Sequence, residues 1–167
     1  MLPQPNMASG SSVVEVTLES TLKNIEVAEG IARGVCATAG LDEDDAYKVE
    51  MAVHESVINA VEHGNKNDAN KQVWLRFEIF GDRLEIRVRD QGEGFDVTSL
   101  PDPCAQENLL KISGRGIFLI RSFMDEVRVE NITGHGAEVT MVKRLNSKSQ
   151  RHQGGNAREH EGHSTTS

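Results

Sequence analysis

Apolar and polar residues follow two distinct spacings along this chain. In some segments apolar residues alternate with polar ones or are β-branched, which is typical of strands. These segments are 13–18, 73–79, 84–88, 127–129 and 138–142. In other segments apolar residues recur every three or four positions, which is typical of amphipathic helices. These segments are 22–40, 42–64 and 114–124.

The order of these segments predicts the fold class. A strand and a helix come first, followed by a second helix, a strand pair, a third helix and a final strand pair. Strand pairs joined by short turns, such as the one at Gly81-Asp82, are antiparallel. Helices that lie on one face of such a sheet bury its apolar side. We therefore expect an α+β protein, a two-layer α/β sandwich with a mostly antiparallel sheet and helices on one face.

Length and composition predict one domain with two polar ends. The chain has 167 residues, which is enough for one core of ordinary size. Residues 13–145 carry all the predicted elements. Residues 1–12 are small and polar, so we expect a flexible N-terminus. Residues 146–167 lack large aliphatic side chains, which predicts a disordered polar tail.

Charge and cysteine content restrict the partners and the compartment. Lys and Arg number 18 against 26 Asp and Glu, a net charge of -8 that argues against nucleic-acid binding through a basic face. Cys36 and Cys104 are too far apart in sequence to predict a metal knuckle or a disulfide framework. No apolar run approaches the roughly 20 residues that span a bilayer. We expect a cytoplasmic protein that binds neither nucleic acid nor membrane.

An acidic residue occupies a predicted core position. In the segment 84–88 the even positions are apolar, and Asp90 continues that register, so its side chain is expected to point inward. A buried carboxylate is costly unless it meets a donor, and the amino group of a ligand is one such donor. The alternative is a strand-end Asp that caps the following turn. Both interpretations fit this position taken by itself.

The second predicted helix carries a polar face near its C-terminal end. It begins after Asp42, a favourable N-cap, and ends at Gly64. Glu55, Asn59 and His63 follow one another at intervals of four residues, so they lie on one side of the helix.

These side chains suit a bound nucleotide with its metal ion. The Asn59 amide can supply one oxygen ligand to Mg²⁺, which otherwise binds phosphates and water. Glu55 can accept a proton from an attacking hydroxyl or orient a water. Both residues are alternatively solvated surface positions. His63 is equally consistent with a favourable helix C-terminal cation.

Two glycine pairs flank a long irregular connection, residues 91–113. Gly92 and Gly94 allow close backbone approach to a purine, and Gly114 and Gly116 expose N–H groups to phosphate at a helix start. Each pair taken alone is also ordinary turn chemistry.

Two further candidates adjoin the second pair. Arg115, between its glycines, is either a phosphate contact or a solvated cation. Ile117, the next apolar residue, completes the set of candidate binding residues.

Other nucleotide and metal motifs are excluded by the sequence. His54-Glu55 begins like a zinc-protease helix, but Ile58 stands where the second histidine is required. The chain has no Gly-rich loop ending in Lys and no third glycine after Gly92 and Gly94 for a dinucleotide fold. It also lacks the His-Arg-Asp and Asp-Phe-Gly sequences of ordinary protein kinases.

Together the three blocks resemble the GHKL (Bergerat-fold) ATPases, over about residues 13–145. Residues 55–65 are similar to the N box of that superfamily, 90–94 to its adenine-binding acid and first glycine box, and 114–116 to its second glycine box. Within the superfamily, the run from Asn59 to Asn65 looks most like that of bacterial anti-sigma-factor serine kinases.

The resemblance implies an ATP- and Mg²⁺-dependent serine/threonine-protein kinase with a histidine kinase-like ATPase domain. In it, Asn59 ligates Mg²⁺, Glu55 acts as the base and Asp90 accepts a hydrogen bond from the adenine amino group. The implied partners are a STAS-type anti-anti-sigma protein, which is phosphorylated, and an alternative sigma factor, which is sequestered. The resemblance also implies a homodimer.

Two departures from the family pattern keep another function open. Ala137 stands where relatives often carry Thr after the glycine of the last hairpin, and Thr140 is a poor substitute for that hydroxyl. Ile112 stands where some relatives have an arginine before Ser113. The alternative is a nucleotide-gated binding module of the same fold without significant kinase activity. A sensor histidine-kinase fragment ranks last, because a phosphoaccepting helix pair is missing.

Overall fold

A computed structural model describes residues 10–94, 115–132 and 136–146. The predicted order of strands and helices is confirmed. The elements are β1 (Ser12–Glu19), α1 (Asn24–Ala39), α2 (Glu43–Asn59), a single π-helical turn (Ala60–Gly64), β2 (Gln72–Ile79), β3 (Arg83–Arg89), α3 (Arg115–Phe123), β4 (Glu126–Ile132) and β5 (Gly136–Arg144). The disordered tail and most of the flexible N-terminus that the sequence predicts lie outside the described residues, as does the stretch 95–114.

The five strands form one sheet in the order β1-β2-β3-β5-β4, and every neighbouring pair is antiparallel. The alternation seen in the sequence sets the register. Leu75 faces Val88 and Phe77 faces Ile86 across β2 and β3, and all four side chains are buried on the face that meets the helices. The α+β class and the two-layer sandwich are therefore confirmed.

The opposite face of the sheet is charged. Its side chains form cross-strand ion pairs, among them Arg76 with Glu15 and Arg89 with Glu138, and the Arg89 guanidinium stacks 4.3 Å above the Trp74 ring. Such a face needs no second helical layer. Among the described residues, no helix combines the length and the apolarity that crossing a membrane requires.

The second helix begins as the sequence predicts and ends differently. Asp42 is the N-cap and accepts a 2.8 Å hydrogen bond from the Asp45 N–H. At the other end, the α-helix gives way after Asn59 to the π turn, which closes with a 2.8 Å bond from the Asn65 N–H to the Ala60 carbonyl. Single π turns inside helices are frequent at functional sites.

Candidate nucleotide-binding site

An open pocket lies between the end of α2 and the inner face of the sheet. Candidate residues from α2, the end of β3 and the start of α3 meet in it. The lining residues come from the helical layer (Ser56, Asn59, Ala60, His63, Gly64, Ile117) and from the sheet side (Val88, Asp90, Gly94, Val129, Ala137, Val139).

Glu55 and Asn59 face the start of α3, as their spacing predicts. A Cβ added at Gly116 would lie 2.8 Å from Asn59 Nδ2 and 3.2 Å from Glu55 Oε2. A side chain at position 116 would therefore collide with Asn59 and crowd Glu55. The glycine allows the first turn of α3 to approach the polar face of α2 closely.

The side-chain amide of Asn59 contains an unsatisfied hydrogen-bond donor. Its Nδ2 atom is buried and has no hydrogen-bond partner among the described residues. An unpaired buried polar group costs about 1–3 kcal/mol, so such an atom points to a ligand. Half a rotation of the amide places its oxygen at the same position, and an amide oxygen is a suitable Mg²⁺ ligand. The side chain is therefore compatible with a metal bound to nucleotide phosphates.

Two of the other candidates on the helical layer, His63 and Ile117, line the pocket. His63 is exposed on the π turn and lines the pocket. Ile117 is 2% exposed and supplies part of the apolar wall. Arg115 is the first residue of α3, but its side chain and Gly114 lie outside the described part of the chain.

Asp90 lies on the inner side of the sheet, as its register predicts, and is 6% exposed. Its Oδ1 accepts hydrogen bonds from the backbone N–H groups of Gly92 (2.9 Å) and Ala137 (3.1 Å). Burial raises the pKa of the Asp90 carboxyl, and these two bonds and the charge of Lys71 partly oppose that rise.

The two interpretations of Asp90 are thus both compatible with the geometry. Oδ1 caps the turn at Gly92 and accepts both of these backbone hydrogen bonds. Oδ2 remains available to a donor in the pocket. An amino group of a bound base has the chemistry to pair with it.

Three glycines enclose the Asp90 carboxylate. A Cβ at Gly64 would lie 2.2 Å from Asp90 Oδ2, and one at Gly136 would lie 2.3 Å from Oδ1. A Cβ at Gly92 would lie 2.0 Å from the Gly64 carbonyl oxygen. Gly136 also has a φ of 82°, a conformation that glycine adopts at little cost. The carboxylate can occupy this position only because all three side chains are absent.

Gly94 has a different neighbourhood from Gly92. It has a φ of 76°, and a Cβ there would lie 2.6 Å from Asn131 Oδ1 on β4. Its backbone still lines the pocket. Gly94 therefore brings the chain close to β4, whereas Gly92 belongs to the surroundings of Asp90.

The departure at position 137 lies in the pocket itself. Ala137 lines the pocket; its N–H donates to Asp90 Oδ1, and its carbonyl accepts from the Asp90 N–H. The side chain at this position is therefore a methyl group without a hydroxyl. Thr140 cannot substitute, because it pairs with Arg87 and Arg128 on the charged face of the sheet.

Three residues of this region were missed by sequence reasoning as site residues. Gly64 and Gly136 contact Asp90 from the π turn and from β5. Asn65 is fully buried and bonds to the residue that follows Asp90. The signals available were the position of Gly64 directly after His63 and that of Gly136 at the start of the last strand.

Comparison with known proteins identifies the family. Residues 18–143 match the model of the histidine kinase-like ATPase domain. The serine-protein kinase RsbW of Bacillus subtilis (strain 168) is 32% identical over 148 residues, which cover 85% of this chain and 91% of that protein. The serine-protein kinase RsbW of Staphylococcus epidermidis is 34% identical over 155 residues, covering 89% of this chain and 96% of the relative.

A solved structure agrees on the fold. It contains the RsbU and RsbW domains of Rv1364c from Mycobacterium tuberculosis and superposes with a TM-score of 0.60 at 21% identity. The match covers 80% of this chain and 32% of that chain. The resemblance to the GHKL ATPases and the expected protein kinase class are confirmed by these findings. The chain belongs to the histidine kinase-like ATPase family, in the branch that includes the serine-protein kinases RsbW.

Proposed function

We propose that this chain uses ATP and Mg²⁺ to phosphorylate a serine or threonine of a STAS-type anti-anti-sigma protein, and that it sequesters an alternative sigma factor. The observation that carries the proposal is the pairing of Glu55 and Asn59 against Gly116, at one side of the pocket that also contains Asp90. One end of the pocket suits a base and the other suits phosphates.

Each end has a definite task in this proposal. The Asp90 Oδ2 accepts a hydrogen bond from the adenine amino group, while Oδ1 stays fixed by two backbone N–H groups. Asn59 supplies an oxygen ligand to Mg²⁺, and the buried Nδ2 atom, which has no partner within the described part of the chain, supports that role. The bound Mg²⁺ neutralises part of the phosphate charge. The N-terminus of α3, which starts at Arg115, favours anions through its free N–H groups and dipole.

Glu55 is the proposed base. It lies one helical turn before Asn59, close to the same backbone at Gly116. It accepts the proton of the substrate hydroxyl as the hydroxyl oxygen attacks the terminal phosphorus, and ADP leaves with the electrons of the broken P–O bond. The remaining proposed contacts are those of His63 at the rim and Ile117 in the apolar wall.

The relatives' names support the partners only indirectly, because they state a serine-protein kinase and no substrate. We further propose that residues 13–145 form the functional domain, that the protein is cytoplasmic and that it works as a homodimer. The dimer is tested by light scattering after size exclusion: a mass of about twice 18.3 kDa is expected, and 18.3 kDa contradicts it.

A second candidate function is a nucleotide-gated binding module with negligible phosphate transfer. Ala137 favours it, because the pocket lacks a hydroxyl at that position. In this case ATP would select a partner without being consumed. The two candidates predict the same nucleotide binding and differ in chemistry alone.

Phosphate transfer to a purified STAS-type protein separates the candidates. The parent is compared with Glu55→Gln and with the control Glu62→Gln, an exposed acid on the π turn. Loss of a general base costs about 10²- to 10⁴-fold, so transfer should fall by that factor in Glu55→Gln and stay near the parental rate in Glu62→Gln. Partner binding should survive in both. An ATP-binding parent that transfers no phosphate would establish the second candidate instead.

A further inference from the structure

A buried amide links the helical layer to the strand end that carries Asp90. Asn65 is 0% exposed. Its Oδ1 accepts a 2.8 Å hydrogen bond from the Gln91 N–H. Its Nδ2 donates to the Ser20 hydroxyl (2.9 Å) and to the Gln72 carbonyl (3.0 Å). One side chain thus joins the chain segments that follow β1 and β3 to the first residue of β2.

The unusual helix end brings Asn65 to this position. The Asn65 N–H bonds to the Ala60 carbonyl and the Asn67 N–H to the Val61 carbonyl, which completes the π turn and reverses the chain. Lys66 and Asn67 then adopt φ values of 53° and 59°, a left-handed conformation that is less favourable for Lys66 than for Asn67. The contacts made by this turn compensate for that backbone cost.

Asn65 holds together the two backbone segments that enclose the carboxylate. Gly64 directly precedes Asn65, and Gln91 directly follows Asp90. The hydrogen bond from Gln91 to Asn65 therefore fixes the separation of Gly64 from Asp90, which is already too small for a Cβ. On its other side, Asp90 is held by the backbone of Ala137, whose N–H donates to Asp90 Oδ1 and whose carbonyl accepts from the Asp90 N–H.

A second contact reinforces the same junction. Gln91 uses its side-chain Oε1 to accept a 2.8 Å hydrogen bond from the Gln72 N–H, next to the carbonyl that Asn65 contacts. The strand end is thus held to both the helix end and β2. A group that must meet the edge of a base within hydrogen-bond distance requires this kind of support from its neighbours.

We propose that Asn65 is a positioning residue for base recognition: by holding Gln91, it sets where Asp90 meets the purine edge. It does not touch the nucleotide itself. The inference rests on the proposed nucleotide function. It extends that function by assigning adenine-over-guanine selectivity to a residue behind the pocket wall as well as to Asp90.

Three variants of the full chain separate positioning from general support. Asn65→Ala removes the acceptor for the Gln91 N–H. Asn65→Asp keeps a carboxylate oxygen as that acceptor and loses the Nδ2 donor. Ser20→Ala, at a position that is 1% exposed, removes one partner of Asn65 and leaves its bond to Gln91 intact. Folding is checked by circular dichroism and thermal unfolding, and ADP and GDP affinities are measured by calorimetry.

The expected result is a loss of affinity that follows the bond to Gln91. Asn65→Ala should bind ADP about tenfold more weakly, with a smaller ratio of ADP to GDP affinity. Asn65→Asp should retain the parental ratio, and Ser20→Ala should retain both affinities even where its melting temperature falls. If Asn65→Ala does not fold, a ratio of ADP to GDP affinity that is lost in folded Asn65→Asp still overturns the inference.

Three results would overturn the inference. The first is a folded Asn65→Ala variant with the parental ratio of ADP to GDP affinity, and the second is an Asn65→Asp variant that has lost this ratio. The third is a loss of ADP affinity in Ser20→Ala that parallels its loss of stability, which would show general support alone. Failure of the proposed function looks different, because then the parent itself binds neither ADP nor GDP.

Discussion

Replacing Asp90 with Asn should stabilise the nucleotide-free protein and weaken its affinity for adenine nucleotides. The substitution keeps the shape of the side chain and the oxygen that accepts from Gly92 and Ala137. It removes a charge from a side chain that is 6% exposed. It also replaces Oδ2, the proposed acceptor for the adenine amino group, with an NH₂ donor.

The two effects have different magnitudes. Relief of an unfavourable functional charge is commonly worth about 0.5–2 kcal/mol of unfolding free energy. Each kcal/mol raises the melting temperature of a domain of this size by about 2–4 °C. A hydrogen bond to a charged group contributes about 1.5–3 kcal/mol, so ADP affinity should fall roughly 10- to 150-fold.

The stability gain depends on pH in a direction set by the pKa of Asp90. Burial raises the pKa of the folded state above that of the unfolded chain, so the native protein holds this proton more tightly. Below about pH 4 the carboxyl is protonated in both states, and the variant should have little advantage. As pH rises through the native pKa, the parent loses stability relative to Asp90→Asn. The advantage should therefore be largest at neutral pH.

Thermal unfolding from pH 4 to 8 and ADP calorimetry at pH 7 test these expectations together. Asp45→Asn is the control, because Asp45 does not line the pocket. Its Oδ1 forms an ion pair with Lys143 Nζ at a distance of 3.4 Å. It should lose stability and keep the parental ADP affinity. The reasoning is refuted if Asp90→Asn binds ADP as tightly as the parent, or if it melts below the parent at neutral pH.

Three further predictions concern the glycine at the last strand, the buried thiol and the buried lysine. Gly136→Ala should melt at a lower temperature and bind ATP more weakly in calorimetry, because its Cβ would lie 2.3 Å from Asp90 Oδ1; parental values of both would refute this. Burial raises the pKa of Cys36 to about 12, so its thiol should resist alkylation by iodoacetamide at neutral pH until urea unfolds the chain. Mass spectrometry of the peptide that contains Cys36 records the alkylation, and rapid alkylation of the folded protein would contradict the prediction. Lys143→Met should lower the unfolding free energy in urea by about 1–3 kcal/mol, because Asp45 loses its ion pair with Lys143. An unchanged midpoint of urea unfolding would contradict this prediction.

The sequence was sufficient for the sheet and for the direction of Asp90. Strand alternation has a period of two, so each buried residue fixes the face of the next, and this register continues to position 90. Spacing of four along α2 likewise predicted that Glu55 and Asn59 share a face, and both lie against Gly116.

The surroundings of Asp90 were beyond the reach of sequence patterns. Gly64 and Gly136 are separated from it by 26 and 46 positions, and their importance depends on three-dimensional contact. Each glycine alone has the signature of an ordinary turn. The π turn before Asn65 was also missed, because apolar spacing does not distinguish a final i→i+4 bond from an i→i+5 bond.

Calorimetric titration of ATP with and without Mg²⁺, on the parent and on Asn59→Ala, tests the central claim most directly. The account predicts that the parent binds ATP more tightly when Mg²⁺ is present. It predicts that Asn59→Ala, which removes the buried side-chain amide, binds ATP with the same affinity in both conditions. A parent that binds no ATP, or an Asn59→Ala variant that keeps the full Mg²⁺ effect, would contradict it.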